Sequence, residues 1–454
     1  MLHRRGFIVA TLLLGVIFAH PLYLIFEQRT PPVASDGQWA SWEYPALDLP
    51  SVMGQLNEHG HRGEEHVVHV GSEANDAVSI IIHRLRNDFG VPIVLVPGML
   101  ASSMIFLMAG RESFGYLLAD AGYDVWLLNT RGSSFSYRPF DPNSSHSAEF
   151  WQANPSVTIE HDLPALFAYV RNATQRPPMS AMYAAGFSQG CMLVQAMLAT
   201  DEALNDLVRL VVNVGPHLHS RGAAVNVMRL LGRLLRFVST ILPSSLSRVD
   251  QLPLFHPHSI ANRLMFGADG SRCRHRPALC RLLVHVALSP LTGLLSWTAY
   301  SNYNRSNYAS YWGRHVPIGT AASHLMHYDR SAAVGFARYE RSWEDGAASA
   351  SAFTSTSTTT TPIASADVNI INKEYDLGRV RATQIMYHCA GDQDVTGSAT
   401  HNDEMAATFG EKLLLRLVLG DGCTHLGFVF DVRGHDYRKI IDKMQQFDIS
   451  SGVL

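Results

Sequence analysis

The chain has 454 residues, 47% of them hydrophobic and 17% charged, which is enough for a large core in one enlarged domain or in two or three smaller ones. Its formal net charge of −3, with the 22 histidines neutral, provides no basic face and argues against a nucleic-acid-binding protein. The five cysteines are too few for a disulfide scaffold, and their odd number leaves at least one unpaired in a monomer.

The N-terminal segment, residues 1–29, is typical of a signal peptide or a signal anchor. Arg4 and Arg5 precede an uncharged, largely apolar run over residues 6–26, which is long enough to span a bilayer and lacks a clear small-residue cleavage site. The missing cleavage site slightly favours an uncleaved anchor, and the two arginines favour a cytoplasmic N-terminus. We therefore expect the rest of the chain in the endomembrane lumen or outside the cell. Sequences of the glycosylated Asn-X-Ser/Thr type begin at Asn143, Asn172 and Asn304.

Residues 50–216 alternate short apolar segments with helical ones. Strands are predicted at residues 65–70, 78–85, 93–96, 125–128, 181–185 and 207–214. Helices are predicted at residues 113–121, 159–170 and 191–200. The first two strands are expected to pair as a hairpin, and the alternation that follows is typical of a mostly parallel sheet with helices on both faces. This pattern predicts the first part of an α/β domain.

The pattern changes after Pro216, and residues 217–346 are predicted to form a helical cap inserted into this domain. A helix over residues 225–242 has an apolar face, with Arg229 and further arginines on or near the other side. The apolar face either packs on the sheet domain or meets a lipid surface, and the sequence leaves both open.

The rest of the chain returns to the sheet. Residues 347–362 form a Ser/Thr/Ala run without a core-forming pattern, which predicts a disordered loop. Strands are predicted at residues 383–387 and 413–419, and a helix near residues 437–447. Residues 363–454 are therefore expected to complete the α/β domain.

The candidate nucleophile lies in the pentapeptide Gly186-Phe187-Ser188-Gln189-Gly190, which fits the G-x-S-x-G nucleophile elbow. In an elbow, a strand turns sharply into a helix and leaves the serine at the tip, while the glycines allow the close approach of neighbouring backbone. The pattern alone is weak because this chain has 34 glycines, and the alternative is an ordinary strand-turn-helix. A predicted strand before it and a predicted helix after it favour Ser188 as a nucleophile.

A serine hydroxyl needs a base, and the base needs an orienting acid; in this type of site they follow in the order Ser, acid, His. The strand at residues 383–387 leads to Asp392 and Asp394, and either fits the position of the acid. The strand at residues 413–419 leads to His425, which fits the base better than His435 because His435 lies well into the closing segment.

The negative charge that forms on a reacting carbonyl oxygen requires two backbone N–H groups. One belongs to the residue after the nucleophile, Gln189, and the other to the loop after the third strand, at Met99. This chemistry requires neither a metal ion nor an organic cofactor, so none is expected.

Several stretches of the sequence are similar to one known family. They are residues 119–127, residues 129–132, Phe150-Trp151, residues 162–165, and residues 317–323 followed by His327-Tyr328. Over residues 50–440 the chain resembles the acid lipases, which include gastric lipase, lysosomal acid lipase and related steryl ester hydrolases. The resemblance implies an α/β-hydrolase fold and hydrolysis of triacylglycerols or steryl esters at a membrane or lipid-droplet surface.

The same resemblance implies particular roles in the site. It identifies Ser188 as the nucleophile, Asp394 as the acid and His425 as the base, with Met99 and Gln189 as oxyanion donors. This chain has Pro97 and Phe187 where the family usually has histidine. We expect the first change to alter how the oxyanion loop is held, and the second to alter the packing beneath the elbow.

Two other functions stay open at the level of sequence. One is an esterase for smaller, non-lipid esters, and the other is a catalytically silent fold that binds lipid.

The cysteines are interpreted from their positions along the chain. Cys273 and Cys280 could pair in the cap, a metal site with His275 fits no common zinc spacing, and Cys191 is expected to be buried. The sequence does not say whether Cys389 and Cys423, near the two late loops, form a disulfide.

Overall fold

A computed structural model describes the sheet domain and parts of the insertion. The described residues are 52–71, 78–133, 135–137, 154–174, 181–217, 223–241, 253–254, 320–321, 323–327, 375–390, 394, 396, 399–420, 423, 425, 427–430 and 435–452. The predicted N-terminal signal, the Ser/Thr-rich loop, Asp392, Asn143, Asn304, Cys273 and Cys280 lie outside them. Within the described ranges no helix is both long enough and apolar enough to cross a membrane.

Among the residues that the structure describes, nine strands form one sheet, and two short ones pair separately. They are β1 (Gly63–Val70), β2 (Val78–Leu85), β3 (Pro92–Val96), β4 (Asp124–Leu127), β5 (Ser136–Tyr137), β6 (Met182–Phe187), β7 (Val208–Val214), β8 (Pro253–Leu254), β9 (Thr320–Ala321), β10 (Thr383–Cys389) and β11 (Leu413–Leu419). The order in the sheet is β1-β2-β4-β3-β6-β7-β10-β11, with β5 beside β2, and β8 pairs with β9. From β4 to β11 every pair is parallel, whereas β1 and β2 form the predicted antiparallel hairpin.

The helices lie mainly between these strands. They are α1 (Val52–Leu56), α2 (Phe114–Asp120), α3 (Pro155–Val157), α4 (Leu163–Ala173), α5 (Gln189–Thr200), α6 (Glu202–Leu207), α7 (Ala223–Ile241), α8 (Ala399–Phe409), α9 (Gly427–Phe430) and α10 (His435–Ser451). Short 3-10 helices occur at Glu58–Gly60, Ser103–Leu107, Gly110–Glu112, Leu377–Arg379 and Gly410–Lys412.

The side chains of each central strand alternate between two hydrophobic cores, one on each face of the sheet. On β6, Tyr183 and Ala185 belong to the core shared with α2 and α10, whereas Met182 and Ala184 belong to the core shared with α4 and α5. The predicted α/β fold with both faces covered is therefore confirmed.

The helix predicted over residues 159–170 differs from the one observed. Helical structure begins earlier, at Pro155, where the Asn154 side chain accepts a hydrogen bond from the Val157 N–H at 3.0 Å. Thr158–Asp162 then form a wide π turn before α4. Pro164 explains the turn. Its nitrogen carries no hydrogen and cannot donate the hydrogen bond of a regular α-helix, and its ring clashes with the carbonyl group four residues earlier.

The π turn joins two of the stretches that resemble the acid lipases. It directs the fully buried Asp162 towards Arg131, whose Nε and a terminal nitrogen donate to the two carboxylate oxygens at 3.2 and 2.8 Å. A bidentate pair of this kind fixes the segment after β4 against the start of α4.

Within the predicted insertion, α7 packs against residues 323–327. Leu231 and Leu235 of α7 are buried, and the Arg236 side chain donates to the Met326 carbonyl at 3.3 Å. A Cβ at Gly232 would lie 2.1 Å from the Leu325 carbonyl oxygen, so only glycine permits this contact. Leu230 and Phe237 are exposed, so the apolar face of α7 is only partly covered.

Candidate active site

Ser188 lies at the sharp turn between β6 and α5. Its φ of 55° and ψ of −120° are rare for a residue with a side chain. A Cβ on Gly186 would lie 2.4 Å from the Cys191 nitrogen, and one on Gly190 would lie 2.1 Å from the Val96 carbonyl oxygen. The glycines of the pentapeptide are therefore required by backbone contacts, and the turn holds the Ser188 side chain at the carboxyl end of β6.

The loops after β6, β10 and β11 bring three of the predicted side chains together. The Ser188 Oγ lies 2.8 Å from His425 Nε2, and His425 Nδ1 lies 2.8 Å from Asp394 Oδ2. The His425 and Asp394 side chains are buried, at 4% and 3% exposure. This is the connectivity of a nucleophile, a base and an orienting acid. His435, the alternative base, is the first residue of α10.

The charge of Asp394 determines how His425 is oriented. Burial acts to raise the pKa of the Asp394 carboxyl, but His425 and the hydrogen bonds from Thr396 outweigh burial and hold that pKa below its usual value. The carboxylate is therefore ionised at neutral pH and accepts the Nδ1–H of His425. The lone pair of Nε2 then faces the Ser188 hydroxyl, which is the arrangement that a base requires.

The loop after β3 packs directly on the elbow. A Cβ on Gly98 would lie 3.0 Å from Ser188 Cβ and 3.1 Å from the Phe187 carbonyl oxygen. Met99 follows, half-buried, and Leu100 has a positive φ of 64°. Gln189 is the first residue of α5, where backbone N–H groups have no acceptor within the helix. Both predicted oxyanion donors thus lie in segments that adjoin Ser188.

Comparison with known proteins identifies the same fold. A family model described as the alpha/beta hydrolase fold matches residues 91–267. Lipase 1 of Drosophila melanogaster is 33% identical, over 38% of this chain and 37% of the relative. Gastric triacylglycerol lipase of Homo sapiens is 28% identical, over 54% of this chain and 56% of the relative. Lysosomal acid lipase/cholesteryl ester hydrolase of Rattus norvegicus is 32% identical, over 37% of this chain and 43% of the relative.

The chain has the α/β-hydrolase fold and is similar in sequence to the acid lipases. It matches between 37% and 56% of the length of these three lipases. The residues that the family model matches include β3, β4, β6 and β7 and extend into the predicted insertion.

In this α/β-hydrolase a buried polar cluster holds the segment that follows Met99. Ser103 donates its N–H to Asn129 Oδ1 at 2.8 Å, and its Oγ lies 2.8 Å from His83 Nδ1. Asn129 in turn donates from Nδ2 to Ser103 Oγ and to the Ile81 carbonyl oxygen. His83 and Ser103 could not be predicted from the sequence, because nothing in their spacing shows that β2 and this loop adjoin.

Phe187 was expected to alter the packing beneath the elbow, and the structure places its side chain against the His425 side chain. Its ring stacks on the imidazole of His425, with centroids 5.1 Å apart and planes inclined by 25°. The side chain therefore supports one face of the imidazole, at the position where the acid lipases usually have histidine.

Two of the cysteines connect the loops of the site. Cys389, the last residue of β10, and Cys423, two residues before His425, form a disulfide with their Cα atoms 5.6 Å apart. Cys191 has a free thiol and is fully buried, as predicted; burial raises the pKa of this thiol far above its usual value. Among the described residues, no group of three or more His, Cys, Asp or Glu side chains is arranged to hold a metal ion.

Proposed function

We propose that this α/β-hydrolase is a lipid ester hydrolase, a triacylglycerol lipase or a steryl ester hydrolase, that acts by acyl transfer through Ser188. The observation that carries the proposal is the continuous hydrogen-bonded path from Ser188 Oγ through His425 to Asp394, with 2.8 Å at each step. The names of the relatives, gastric triacylglycerol lipase and lysosomal acid lipase/cholesteryl ester hydrolase, support the lipid substrate class.

The first half of the reaction forms an acyl-enzyme. Ser188 Oγ attacks the ester carbonyl carbon while His425 Nε2 takes the hydroxyl proton, and the Asp394 carboxylate stabilises the imidazolium that results. The oxyanion of the tetrahedral intermediate accepts hydrogen bonds from the N–H groups of Met99 and Gln189. The intermediate collapses when His425 gives the proton to the departing alcohol oxygen.

The second half releases the acid. His425 Nε2 removes a proton from water, and the oxygen of that water attacks the acyl carbon. The second tetrahedral intermediate uses the same two amides, and Ser188 Oγ departs with the proton returned by His425. The products are the alcohol and the fatty acid, and every proton is accounted for by one imidazole.

Hydrolysis of emulsified triolein and cholesteryl oleate, measured from acidic to neutral pH beside soluble p-nitrophenyl acetate, tests the substrate class. We expect hydrolysis of at least one emulsified substrate by the full chain and none by the Ser188→Ala variant. Hydrolysis of p-nitrophenyl acetate alone would show an esterase for small esters. Failure on all three, without labelling of Ser188 by a fluorophosphonate, would contradict catalysis and favour a catalytically silent fold.

We also propose that the hydrolase domain lies in the endomembrane lumen or outside the cell, held at a membrane or released from it. Asn172 is exposed at the end of α4, where a glycosyl chain has room, and the disulfide of Cys389 and Cys423 is typical of oxidising compartments. A glycosidase shift that Asn172→Gln reduces would support the proposal, and carbonate extraction would separate an anchored form from a released one. Digestion of the unglycosylated domain by protease on the cytosolic side of microsomes would contradict it.

A further inference from the structure

We propose that Thr396 is a positioning residue that fixes the reactive tautomer of His425 and the orientation of the Asp394 carboxylate. The inference rests on the proposed acyl-transfer function of the site. Thr396 follows Asp394 by two residues in the loop after β10, and it is 5% exposed. Neither the G-x-S-x-G pattern nor the order of nucleophile, acid and base assigns any role to this residue.

Thr396 contacts both members of the pair that it is proposed to position. Its backbone N–H and its Oγ1 donate to Asp394 Oδ1, at 2.8 and 2.6 Å. The same Oγ1 lies 2.7 Å from His425 Nδ1, as close as Asp394 Oδ2 lies to that nitrogen at 2.8 Å. The hydroxyl is thus shared between the acid and the base.

Counting protons gives one arrangement for this triangle. A threonine hydroxyl carries a single proton, and a carboxylate oxygen can only accept. If Oγ1 donated to His425 Nδ1, the imidazole lone pair would face Asp394 Oδ2 and the Oγ1 lone pairs would face Oδ1, so two of the short contacts would be repulsive. If Oγ1 donates to Asp394 Oδ1, Nδ1–H donates to both Oδ2 and Oγ1, and all contacts are attractive.

In a neutral imidazole this arrangement places the lone pair on Nε2 of His425, directed at Ser188 Oγ. Thr396 places its two donors on Oδ1, and the imidazole donates to Oδ2. When His425 takes the Ser188 proton, Nδ1–H becomes a stronger donor, so the contacts with both acceptors strengthen in the transition state. The hydroxyl is therefore expected to act mainly on kcat.

The position of Thr396 is fixed from its other side by the loop after β7. The buried His217 donates its Nδ1–H to the Thr396 carbonyl oxygen at 2.8 Å. This contact holds the backbone of Thr396 whether or not the hydroxyl is present. A substitution that removes only the hydroxyl should therefore leave the loop in place.

The experiment compares Thr396→Val with Thr396→Ser in the full chain. Valine has the shape of threonine without the hydroxyl, and we expect kcat to fall about 10- to 100-fold while KM stays within about twofold. Serine restores the hydroxyl, and kcat should return to within about threefold of wild type. Thr158→Val is the matched control, since Thr158 is equally buried but its hydroxyl donates to the Asn154 carbonyl oxygen at 3.4 Å; it should leave kcat unchanged.

Thermal unfolding of each variant separates positioning from folding. The proposal would be overturned if kcat fell equally in Thr396→Val and Thr396→Ser. It would also be overturned if the fall in kcat across all three variants were proportional to the fall in thermal midpoint. Wild-type kcat in Thr396→Val would also overturn it. If the wild type is active and Ser188→Ala is inactive, such results refute the role of Thr396 alone. If Ser188→Ala keeps full activity, the proposed function itself fails.

Discussion

The disulfide between Cys389 and Cys423 joins the loop that carries Asp394 to the loop that carries His425. Cys389 ends β10 and Cys423 follows β11, and these two strands are parallel neighbours at the edge of the sheet. The bond therefore lies within a few residues of both side chains that must act on Ser188. It limits how far the two loops can separate.

Replacing both cysteines by alanine should lower both stability and kcat. The bond closes a segment with a sequence separation of 34, for which a loss of about 2–4 kcal/mol in the free energy of unfolding is expected. We expect a reducing agent to lower wild-type activity and to leave the activity of Cys389→Ala/Cys423→Ala unchanged. Cys191→Ala is the control and should respond to reduction as the wild type does. A double variant with wild-type kcat and thermal midpoint would contradict this role.

Phe187→Leu should reduce turnover without changing substrate affinity. The substitution removes the ring that stacks on His425, a contact of the kind worth about 0.5–1.5 kcal/mol, so kcat is expected to fall about 2- to 10-fold. Phe167→Leu is a matched control, because Phe167 is fully buried in the core on the other face of the sheet. Both variants should be less stable, but only Phe187→Leu should lower kcat. Equal kcat values in the two variants would contradict the supporting role of Phe187.

Asparagine substitutions distinguish Asp394 from its neighbour Asp392. Asp394→Asn replaces an acceptor of His425 Nδ1–H by a neutral amide, which favours the wrong tautomer and should lower kcat about 10⁴-fold. Asp392→Asn should change kcat by less than about threefold. Steady-state kinetics on a soluble ester measure both, and the reverse order of losses would refute the assignment of the acid.

His388 should make the protein less stable as the pH falls. Burial, together with the nearby positive charge of Arg416, lowers the pKa of His388 from its usual 6.5, and the opposing effects of the Cys389 carbonyl, Asp403 and Asp394 are weaker. The unfolded chain therefore binds a proton more readily than the folded one, so this contribution to stability is complete above pH 6.5 and is lost as the pH falls below it. The Arg416 Nε–H donates to His388 Nε2 at 2.9 Å and would face a second N–H after protonation.

Thermal unfolding of wild type and His388→Asn between pH 7 and 5 measures this effect. Asparagine cannot titrate and can keep a donor near the Cys389 carbonyl, where His388 Nδ1 donates at 2.8 Å. We expect the thermal midpoint of the variant to fall less steeply with acidity than that of the wild type. Parallel pH profiles would show that His388 does not contribute.

The elbow could be predicted from the sequence because its requirements are local. Gly186 must be glycine because it lies against the backbone of Cys191, a few residues after Ser188. Gly190 must be glycine because it lies against the backbone of the adjacent strand β3. The segments that carry Asp394 and His425 could be identified in the same way, since each follows an apolar strand. The choice of Asp394 over Asp392 rested on the family resemblance.

The contacts around the site could not be predicted, because they depend on how distant loops meet. Thr396 and His425 are 29 residues apart, and His217 and Thr396 are 179 apart, so no periodicity connects them. The disulfide was left open for the same reason. The predicted helix at residues 159–170 missed its true start because the cap formed by Asn154 before Pro155 was not recognised. The boundaries of the cap and of the Ser/Thr-rich loop stay predictions.

The most direct test of the account is the hydrolysis rate of the Ser188→Ala variant, measured together with fluorophosphonate labelling of the wild type. Removing the nucleophile of a site of this kind costs on the order of 10⁶ in kcat, so we expect no measurable hydrolysis and an unchanged thermal midpoint. The wild type should incorporate one label at Ser188 and lose its activity in proportion. Retention of more than a small fraction of wild-type activity by Ser188→Ala, or labelling at a different residue, would contradict the assignment of the nucleophile and of the function built on it.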